Sequence, residues 1–157
     1  MTAEHKPIRL LAKDLEDMTV LSSMLQDALV PLSDVQYAAQ DQTFILVLNR
    51  FCWEDVRAGK HTEPYRRVLS GLRFDHVRSV AFRGIDRNEN DRVLELLTIA
   101  YCDGGPDADG NCNIVLHFSG GGAIRLTVSG LACAMEDMGE SWPTRWKPGH
   151  ENEGTGG

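Results

Sequence analysis

The sequence predicts an α+β fold in which an antiparallel sheet of about seven strands forms a roll, a barrel or a sandwich. One apolar stripe with helical spacing lies near the N-terminus, and strand-like segments fill residues 34–129. No connection between those segments is long enough for a crossover helix, so the strands must be antiparallel. We expect an N-terminal helix and a short C-terminal helix to complete the fold. A pleckstrin-homology roll is the structural analogy, and it implies no function by itself.

Length and composition indicate one soluble domain. The chain has 157 residues, of which 42% are hydrophobic and 25% charged, and a domain of this size can bury a core without disulfides or metals. We expect residues 1–146 to form a single globular domain. Residues 147–157 are polar and rich in glycine, which predicts a disordered tail. The formal net charge of −7 argues against binding to nucleic acid or to an anionic membrane.

The N-terminal helix is the clearest helix in the pattern. Asp14 is a candidate N-cap residue, and apolar residues recur at helical spacing between Leu15 and Leu29. Pro31 cannot continue a helix and disfavours helical backbone at the residue before it, so we expect the helix to end near Leu29. The apolar stripe predicts that this helix packs against the sheet.

The first predicted strands follow this helix. Val35–Ala38 alternates between apolar and polar residues, a turn is expected at residues 40–42, and residues 43–48 form an apolar run typical of a buried strand. The polar stretch 54–64 predicts a loop. Alternation then slips by one residue near His76, which predicts a bulge or a bend at that point.

The later strands have the most regular patterns. Val93–Tyr101 alternates cleanly, and residues 102–111 form a loop rich in Gly and Asp. Two strands at 114–118 and 124–128 are joined by residues 119–122, which predict a hairpin because glycines supply the positive φ angles of tight connections.

The C-terminal part of the domain predicts a short helix followed by an aromatic segment. Leu131, Met135 and Met138 have helical spacing, and Gly139 would end the helix. We expect Trp142 to be largely buried and Trp146 partly so, because burying such a ring gains more free energy than ordering the backbone costs. An exposed aromatic pair that binds a partner is the alternative.

The cysteines do not indicate a metal or redox site. They lie at positions 52, 102, 112 and 133, with no C-x-x-C pair. There is no apolar N-terminal leader, and no apolar run reaches the roughly 18 residues of a membrane span. We therefore expect a cytoplasmic protein whose thiols are reduced rather than joined in disulfides.

Three segments, residues 46–51, 79–87 and 120–126, together resemble an uncharacterised family of small bacterial proteins, mostly alphaproteobacterial. The resemblance extends from about Ile8 to Trp146. It implies a bacterial cytosolic protein with a single domain. The family is known only as a domain of unknown function, so the resemblance implies no activity, cofactor or catalytic residue.

Motifs that resemble known chemical sites fail on spacing, so we expect no metal, no cofactor and no catalytic residue. Residues 120–122 precede a strand, whereas a phosphate-binding loop precedes a helix. The acidic loop at 103–111 lacks the Asp and Glu that begin and end a calcium-binding loop. His76 and His117 both fall in strand regions, but the sequence does not show whether they converge.

Two polar segments are candidate binding sites. Arg83, Asp86 and Arg87 lie in the most charged stretch, where they can form an ion-pair cluster or contact an anion. Asn49 and Arg50 follow a buried strand, at the kind of position where loops commonly carry function.

The favoured hypothesis is a non-enzymatic protein-binding or assembly module that contacts a protein partner through one face or edge of its sheet. The alternative is a small-molecule-binding protein or enzyme with a pocket in the β roll, using Arg83, Arg87 or His76. Sheet edges that need cover also predict a homodimer. Neither nucleic acid nor a membrane is an expected partner.

Overall fold

The computed structural model of the chain describes residues 6–148. Within that range, ten strands and two α-helices are connected by loops and by three 3-10 turns. The strands are β1 (Arg9–Ala12), β2 (Leu29–Pro31), β3 (Val35–Ala38), β4 (Thr43–Phe51), β5 (Tyr65–Phe74), β6 (Val77–Arg83), β7 (Val93–Tyr101), β8 (Cys112–Phe118), β9 (Ala123–Val128) and β10 (Cys133–Thr144). The helices are α1 (Leu15–Met24) and α2 (Trp53–Arg57), and the 3-10 turns are Leu32–Asp34, Ala39–Asp41 and Ser119–Gly121.

The strand pairs are antiparallel, which confirms the predicted type of sheet. The order is β1-β10-β5-β4-β2-β7-β8-β9-β6, and β3 pairs with β4. The predicted number of about seven strands is too low. The missing strands are β1, β2 and β10. No element was predicted where β1 lies, β2 falls at the predicted end of the first helix, and β10 replaces the predicted closing helix. The likeness to a pleckstrin-homology roll and the single-domain boundary stay predictions.

Helix α1 begins where the sequence predicts but ends earlier. The Asp14 carboxylate accepts a hydrogen bond of 2.8 Å from the Asp17 amide and caps the helix. The helix ends at Met24, and Asp27 adopts a left-handed conformation with φ of 63° that interrupts any further helix. Leu29–Pro31 then forms β2, so the predicted helix end near Leu29 is wrong.

The inner face of the sheet and α1 enclose one apolar core. Met18 and Leu21 of α1 belong to this core and are almost fully buried. The buried residues that lie in register across β4, β5 and β10 are Phe44, Phe74, Cys133, Leu46, Leu72 and Met135. Burial of these side chains holds the three strands together through the hydrophobic effect.

The predicted bend at His76 is confirmed. His76 has a φ of 59°, in the left-handed region, and it lies between the end of β5 at Phe74 and the start of β6 at Val77. Strand β5 pairs with β4 and β10, whereas β6 pairs with β9, so the chain passes here from one part of the sheet to another. The register of β6 against β9 also shifts between Val77 and Ser79.

The strands β7, β8 and β9 lie where the sequence predicts them. The bounds of β7 are the predicted ones, and β8 and β9 form the predicted hairpin. Gly120 takes a φ of 84° in the connecting turn, which is the conformation that glycine was expected to supply there. The Phe118 amide donates to the Gly122 carbonyl at 2.8 Å and closes the turn.

A disulfide that was not predicted from the sequence closes the loop between β7 and β8. Cys102 and Cys112 are joined, so the prediction of reduced thiols is wrong for this pair. Their pairing is favoured by the fold, because β7 and β8 are adjacent antiparallel strands and the two cysteines lie at the ends that the loop connects. Cys52 and Cys133 are free and buried.

The predicted C-terminal helix is wrong, because this segment forms β10 between β1 and β5. Trp142 lies opposite Arg67 on β5 and is 37% exposed, and Trp146 is 65% exposed. The predicted burial of Trp142 is therefore also wrong; the residue lies near the end of β10, past the register shift after Met138. Most of the predicted disordered tail, residues 149–157, lies outside the described residues.

Candidate functional site

The candidate residues of the sequence analysis lie in two separate places. Asn49 and Arg50 are on β4, near the middle of the sheet. Arg83 ends β6, at the far edge of the strand order, and Asp86 and Arg87 follow in the next loop. The structure places each group in a different environment.

Arg50 is fully buried, and its guanidinium joins β4, α2 and β10. Nε and Nη2 each donate a hydrogen bond of 2.8 Å to the carboxylate of Asp137 on β10. Nη1 and Nη2 donate to the Glu54 carboxylate on α2 at 2.8 and 2.9 Å, and Nη1 also donates to the Phe51 carbonyl at 3.4 Å. Every N–H of the guanidinium has an acceptor, so Arg50 has none left for a ligand.

The Asp137 carboxylate is held by further donors. Ser70 Oγ donates to it at 2.7 Å and the Ile8 amide at 2.8 Å. Burial opposes the charged form of Asp137, but hydrogen bonds from Arg50, Ser70 and Ile8 outweigh it and hold the pKa of Asp137 well below its usual range. Burial likewise opposes the charge of Arg50, and the hydrogen bonds to Asp137 and Glu54 outweigh it, so the pKa of Arg50 is raised. The pair stays ionised at neutral pH.

Asn49 faces the opposite side of β4 from Arg50, because successive side chains of a strand alternate. Its Oδ1 accepts a hydrogen bond of 2.8 Å from Arg67 Nη1, and the Arg67 guanidinium lies 5.8 Å from the centroid of the Phe51 ring. Burial lowers the pKa of Arg67. Asn49 therefore positions Arg67 across the β4–β5 pair.

Helix α2 is fixed beside this polar cluster. Arg66 on β5 forms a two-point ion pair with Asp55, with Nη2–Oδ1 at 2.9 Å and Nε–Oδ2 at 3.1 Å. Trp53 Nε1 donates to the Gln26 carbonyl at 2.9 Å. Together with the Arg50–Glu54 pair, these contacts give the segment that contains Asn49 and Arg50 a structural role, because they stabilise the fold at this end of the sheet.

The loop after β6 is anchored by Ile85. Ile85 is half-buried against the core, and Gly122 approaches it so closely that an added Cβ would lie 3.0 Å from Ile85 Cγ1. The Asp86 carboxylate accepts a hydrogen bond of 3.0 Å from the Asn88 amide, so it shapes the turn. Among the residues the structure describes, no ion pair joins Arg83, Asp86 and Arg87, in contrast to the predicted ion-pair cluster.

A cleft with a volume of about 340 Å³ lies between this loop and the segment that leads into β3. The Arg92 carbonyl accepts a hydrogen bond of 2.9 Å from the Leu32 amide, which connects the loop to the 3-10 turn Leu32–Asp34. The apolar wall of the cleft consists of Leu32, Val35, Tyr37, Phe44 and Phe82, and its polar groups are Ser33, Arg87 and Asn90.

The cleft lies between two strand edges. On one edge β6 pairs with β9, and no other strand within residues 6–148 pairs with its second edge. Strand β3 likewise pairs with β4 along one edge, and no other strand of the described residues pairs with its second edge. The two strands are tied at one end, where Tyr37 Oη donates to the Val77 carbonyl at 2.7 Å and the Val77 amide donates to the Gln42 carbonyl at 2.8 Å. Beyond Val77 the strands are not bonded, and the cleft opens there.

Arg87 places a positive charge at this cleft. Its guanidinium lies 4.8 Å from the centroid of the Phe82 ring, a cation–π contact that holds the side chain along the apolar wall. Arg87 is exposed, and within the described part of the chain neither a hydrogen bond nor an ion pair engages it. Arg83 is also exposed, at the end of β6. The segment that contains Arg83, Asp86 and Arg87 thus combines the apolar wall of the cleft with two exposed arginine side chains.

In the described residues, the acidic loop at 103–111 and the two strand-region histidines do not form a metal site. The Asp107 carboxylate accepts hydrogen bonds of 2.9 Å from the amides of Asp109 and Asn111, so it stabilises its own turn. No group of three His, Cys, Asp or Glu side chains within residues 6–148 has the geometry of a metal site. His117 lies opposite Ala123 on β9, and His76 lies at the bend beside Gly130, so the two histidines occupy different elements.

Several residues of these sites were not predicted from the sequence. Glu54 lies four residues after Arg50, a spacing that can reveal an ion pair at a helix start. Asp137, Phe82 and Asn90 gave no signal, because their roles depend on contacts between distant segments.

The fold and the cleft define a β-sheet protein with an open, partly apolar groove between two strand edges. Residues 8–150 match the model of a family described as "Protein of unknown function (DUF2948)". The chain belongs to this family, which confirms the resemblance to a domain of unknown function; its bacterial origin stays a prediction.

Neither the curated proteins nor the solved structures contain a significant match. Among the helices of residues 6–148, none has the length and apolar character needed to cross a membrane. The cytoplasmic location stays a prediction.

Proposed function

We propose that the protein is a non-enzymatic protein-binding module, and that an extended segment of a partner protein binds in the cleft as a further strand on β6. The position of the cleft between two unpaired strand edges is the observation that supports this proposal most directly. An unpaired edge presents a row of N–H and C=O groups, and an extended peptide can satisfy them with the hydrogen bonds of an added strand.

The side chains of the cleft provide selectivity for such a segment. Successive residues of a bound strand point to opposite sides, so alternate residues would face the half-buried Val35 and Phe82. Apolar residues at those positions bury surface and supply affinity at about 25 cal/mol per Å². Ser33 and Asn90 offer hydrogen bonds at the rim.

Arg87 selects the charge of the partner segment. An exposed ion pair contributes only about 0–1 kcal/mol, so the arginine adds little affinity but disfavours a basic segment. The partner that fits is therefore an extended peptide with alternating apolar residues and an acidic residue near Arg87. The sequence favours a protein-binding module that uses one face or edge of its sheet, and this proposal assigns that role to the edge of β6.

A random peptide library displayed on phage and selected against the full chain tests this proposal. We expect enrichment of peptides with alternating apolar residues and at least one acidic residue. Arg87→Glu removes the attraction and adds a repulsion of similar size, so it should weaken binding of an enriched peptide by up to about tenfold, equivalent to about 1.4 kcal/mol. Arg145→Glu makes the same charge change at an exposed position after β10, which pairs with β1 and β5 and not with β6, and should bind like the wild type.

Two results would contradict the proposal. One is a library without enrichment, and the other is a set of peptides that bind Arg87→Glu as tightly as the wild type. A thermal-shift series with small apolar carboxylates, for example octanoate, covers the alternative occupant of the cleft. Stabilisation by the carboxylate without any peptide binding would assign the cleft to a small molecule.

A further inference from the structure

We infer that the partner segment bound on β6 carries acidic residues at alternate positions, which Arg83 and Arg125 bind on the outer side of the sheet. The inference rests on the proposed function, because it concerns the side of the added strand that faces away from the cleft. We define the basic face by the outward residues of β6 and of its neighbour β9, which are Ser79, Ala81, Arg83, Arg125 and Thr127.

The strand register places the two arginines on the same side of the sheet. Arg125 lies directly opposite Ala81, which is two residues before Arg83 on β6. Directly opposed residues, and residues two apart along one strand, point to the same side. Phe82 lies between Ala81 and Arg83 and packs against the core, so its two neighbours point outward. Arg83 and Arg125 are therefore close to each other on the outer surface.

The basic face carries positive charge without negative charge. The Arg and Lys residues of β6, β8 and β9 are Arg78, Arg83 and Arg125, and these three strands contain no Asp or Glu. Arg83 and Arg125 are exposed, and no hydrogen bond or ion pair engages either one within residues 6–148. The whole chain is the opposite, with 23 acidic residues against 16 Lys and Arg. The face therefore complements an acidic partner.

The free edge of β6 would bring an added strand beside these arginines. A residue of that strand directly opposite Arg83 would have its Cβ about 5 Å from the Arg83 Cβ, within reach of an ion pair. A residue opposite Ala81 would lie two strand spacings, about 10 Å, from Arg125 on β9. Because the Ala81 side chain is only a methyl group, an extended arginine and an extended glutamate can meet above it.

These positions define a sequence pattern for the partner. Side chains of the added strand opposite Val80 and Phe82 would point to the cleft side and should be apolar. Those opposite Ala81 and Arg83 would lie on the basic face and should be acidic. The partner segment therefore alternates between acidic and apolar residues. A nucleic acid fits this face poorly, because the outward residues of β6 and β9 include no aromatic ring on which bases could stack.

Two short synthetic peptides test the inference on the full chain by calorimetry: one repeats Glu-Val and the other repeats Gln-Val. We expect the Glu-Val peptide to bind about tenfold more tightly, and this preference to shrink at high salt. Arg83→Gln and Arg125→Gln should each weaken binding of the Glu-Val peptide by about two- to fivefold and leave binding of the Gln-Val peptide unchanged.

Arg145→Gln is the matched control, because it removes the same charge at an exposed position after β10 and should leave the affinity for both peptides unchanged. A loss of Glu-Val binding in this control as large as that in Arg83→Gln would show a general charge effect and overturn the inference.

The other outcomes separate this inference from the proposed function. Equal affinity of the wild type for the two peptides would overturn the inference alone, because binding on β6 would persist without selection by the basic face. A Glu-Val preference that Arg87→Gln abolishes, and that Arg83→Gln and Arg125→Gln retain, would assign the selection to the cleft and would also overturn it. Binding of neither peptide would overturn the inference, and the proposed function as well if the phage library shows no enrichment.

Discussion

Arg50 and Asp137 form a 2.8 Å salt bridge in which neither side chain is exposed, although 87 residues separate them in the sequence. The bridge connects β4 with β10, which are both neighbours of β5, and Glu54 extends it to α2. A buried charge without its partner is strongly unfavourable, whereas a complete buried pair roughly offsets its own desolvation. The pair therefore favours one arrangement of these elements over others more than it adds net stability.

Replacing Arg50 should test this role. In Arg50→Met the buried Asp137 carboxylate loses both hydrogen bonds and the positive charge of the guanidinium, so we expect the free energy of unfolding to fall by about 3–5 kcal/mol. Urea denaturation at neutral pH measures the change. Arg73→Met is the control, since its bridge to Asp75 is exposed and should contribute less than about 1 kcal/mol. Equal losses in both variants would contradict the account of the buried pair.

The stability that Asp137 provides should depend on pH. Its pKa is lowered in the folded protein, so its contribution is present above the unfolded pKa of about 3.9 and is lost as the pH falls toward the folded value. Asp137→Asn lacks this titration. The difference in unfolding free energy between the wild type and Asp137→Asn should be constant from about pH 7 to about pH 5 and should shrink below about pH 4. A difference that is unchanged at low pH would show that the carboxylate is not held in its charged form.

The cysteines should react according to their burial. Burial raises the pKa of Cys52 to about 12 and also raises the pKa of Cys133, so a thiol reagent at mildly alkaline pH should not modify the native protein. After unfolding without reductant, two thiols should react, because Cys102 and Cys112 are joined. Reaction of all four cysteines without prior reduction would contradict the disulfide.

The strands with regular alternation were predictable from the sequence. The bounds of β7 follow from the pattern at Val93–Tyr101, and the hairpin of β8 and β9 follows from its glycine turn. In these segments the spacing of the apolar residues and the identity of the turn residues specify the structure locally, without contacts to distant parts of the chain. The antiparallel sheet followed from them.

Strand β10 was not predictable for a physical reason. Its inward residues are Cys133, Met135 and Asp137, so an acidic residue stands where a strand pattern requires an apolar one. Pairing with Arg50 and hydrogen bonds from Ser70 and the Ile8 amide stabilise the acid in the core, and no local pattern shows these contacts. The spacing of Met135 and Met138 then fitted a helix.

The end of α1 was predicted wrongly because the apolar residues there fit both the spacing of a helix and the alternation of an extended strand. Leu25, Ala28 and Leu29 continue the helical stripe, whereas Ala28, Val30 and Leu32 alternate as buried residues of an extended segment. The left-handed conformation of Asp27 decides between them, and a non-glycine residue gives little sign of it in the sequence.

The candidate site was predicted in part. Arg87 does lie at a cleft, but the apolar wall comes from β3, β4 and β6, which only the fold brings together. Arg50 was singled out as a polar residue after a buried strand, and the structure shows it inside the core with all of its donors engaged.

Amide hydrogen exchange of β6 shows whether a bound peptide pairs with this strand. With a peptide from the library selection bound, we expect slower exchange at backbone amides within residues 79–83, because the added strand gives the free edge of β6 new hydrogen-bond partners. Amides of β8, which already has strands on both sides, should exchange as before and serve as the internal control. Protection confined to other elements, with no change along β6, would contradict the claim that the partner binds as an added strand in this cleft.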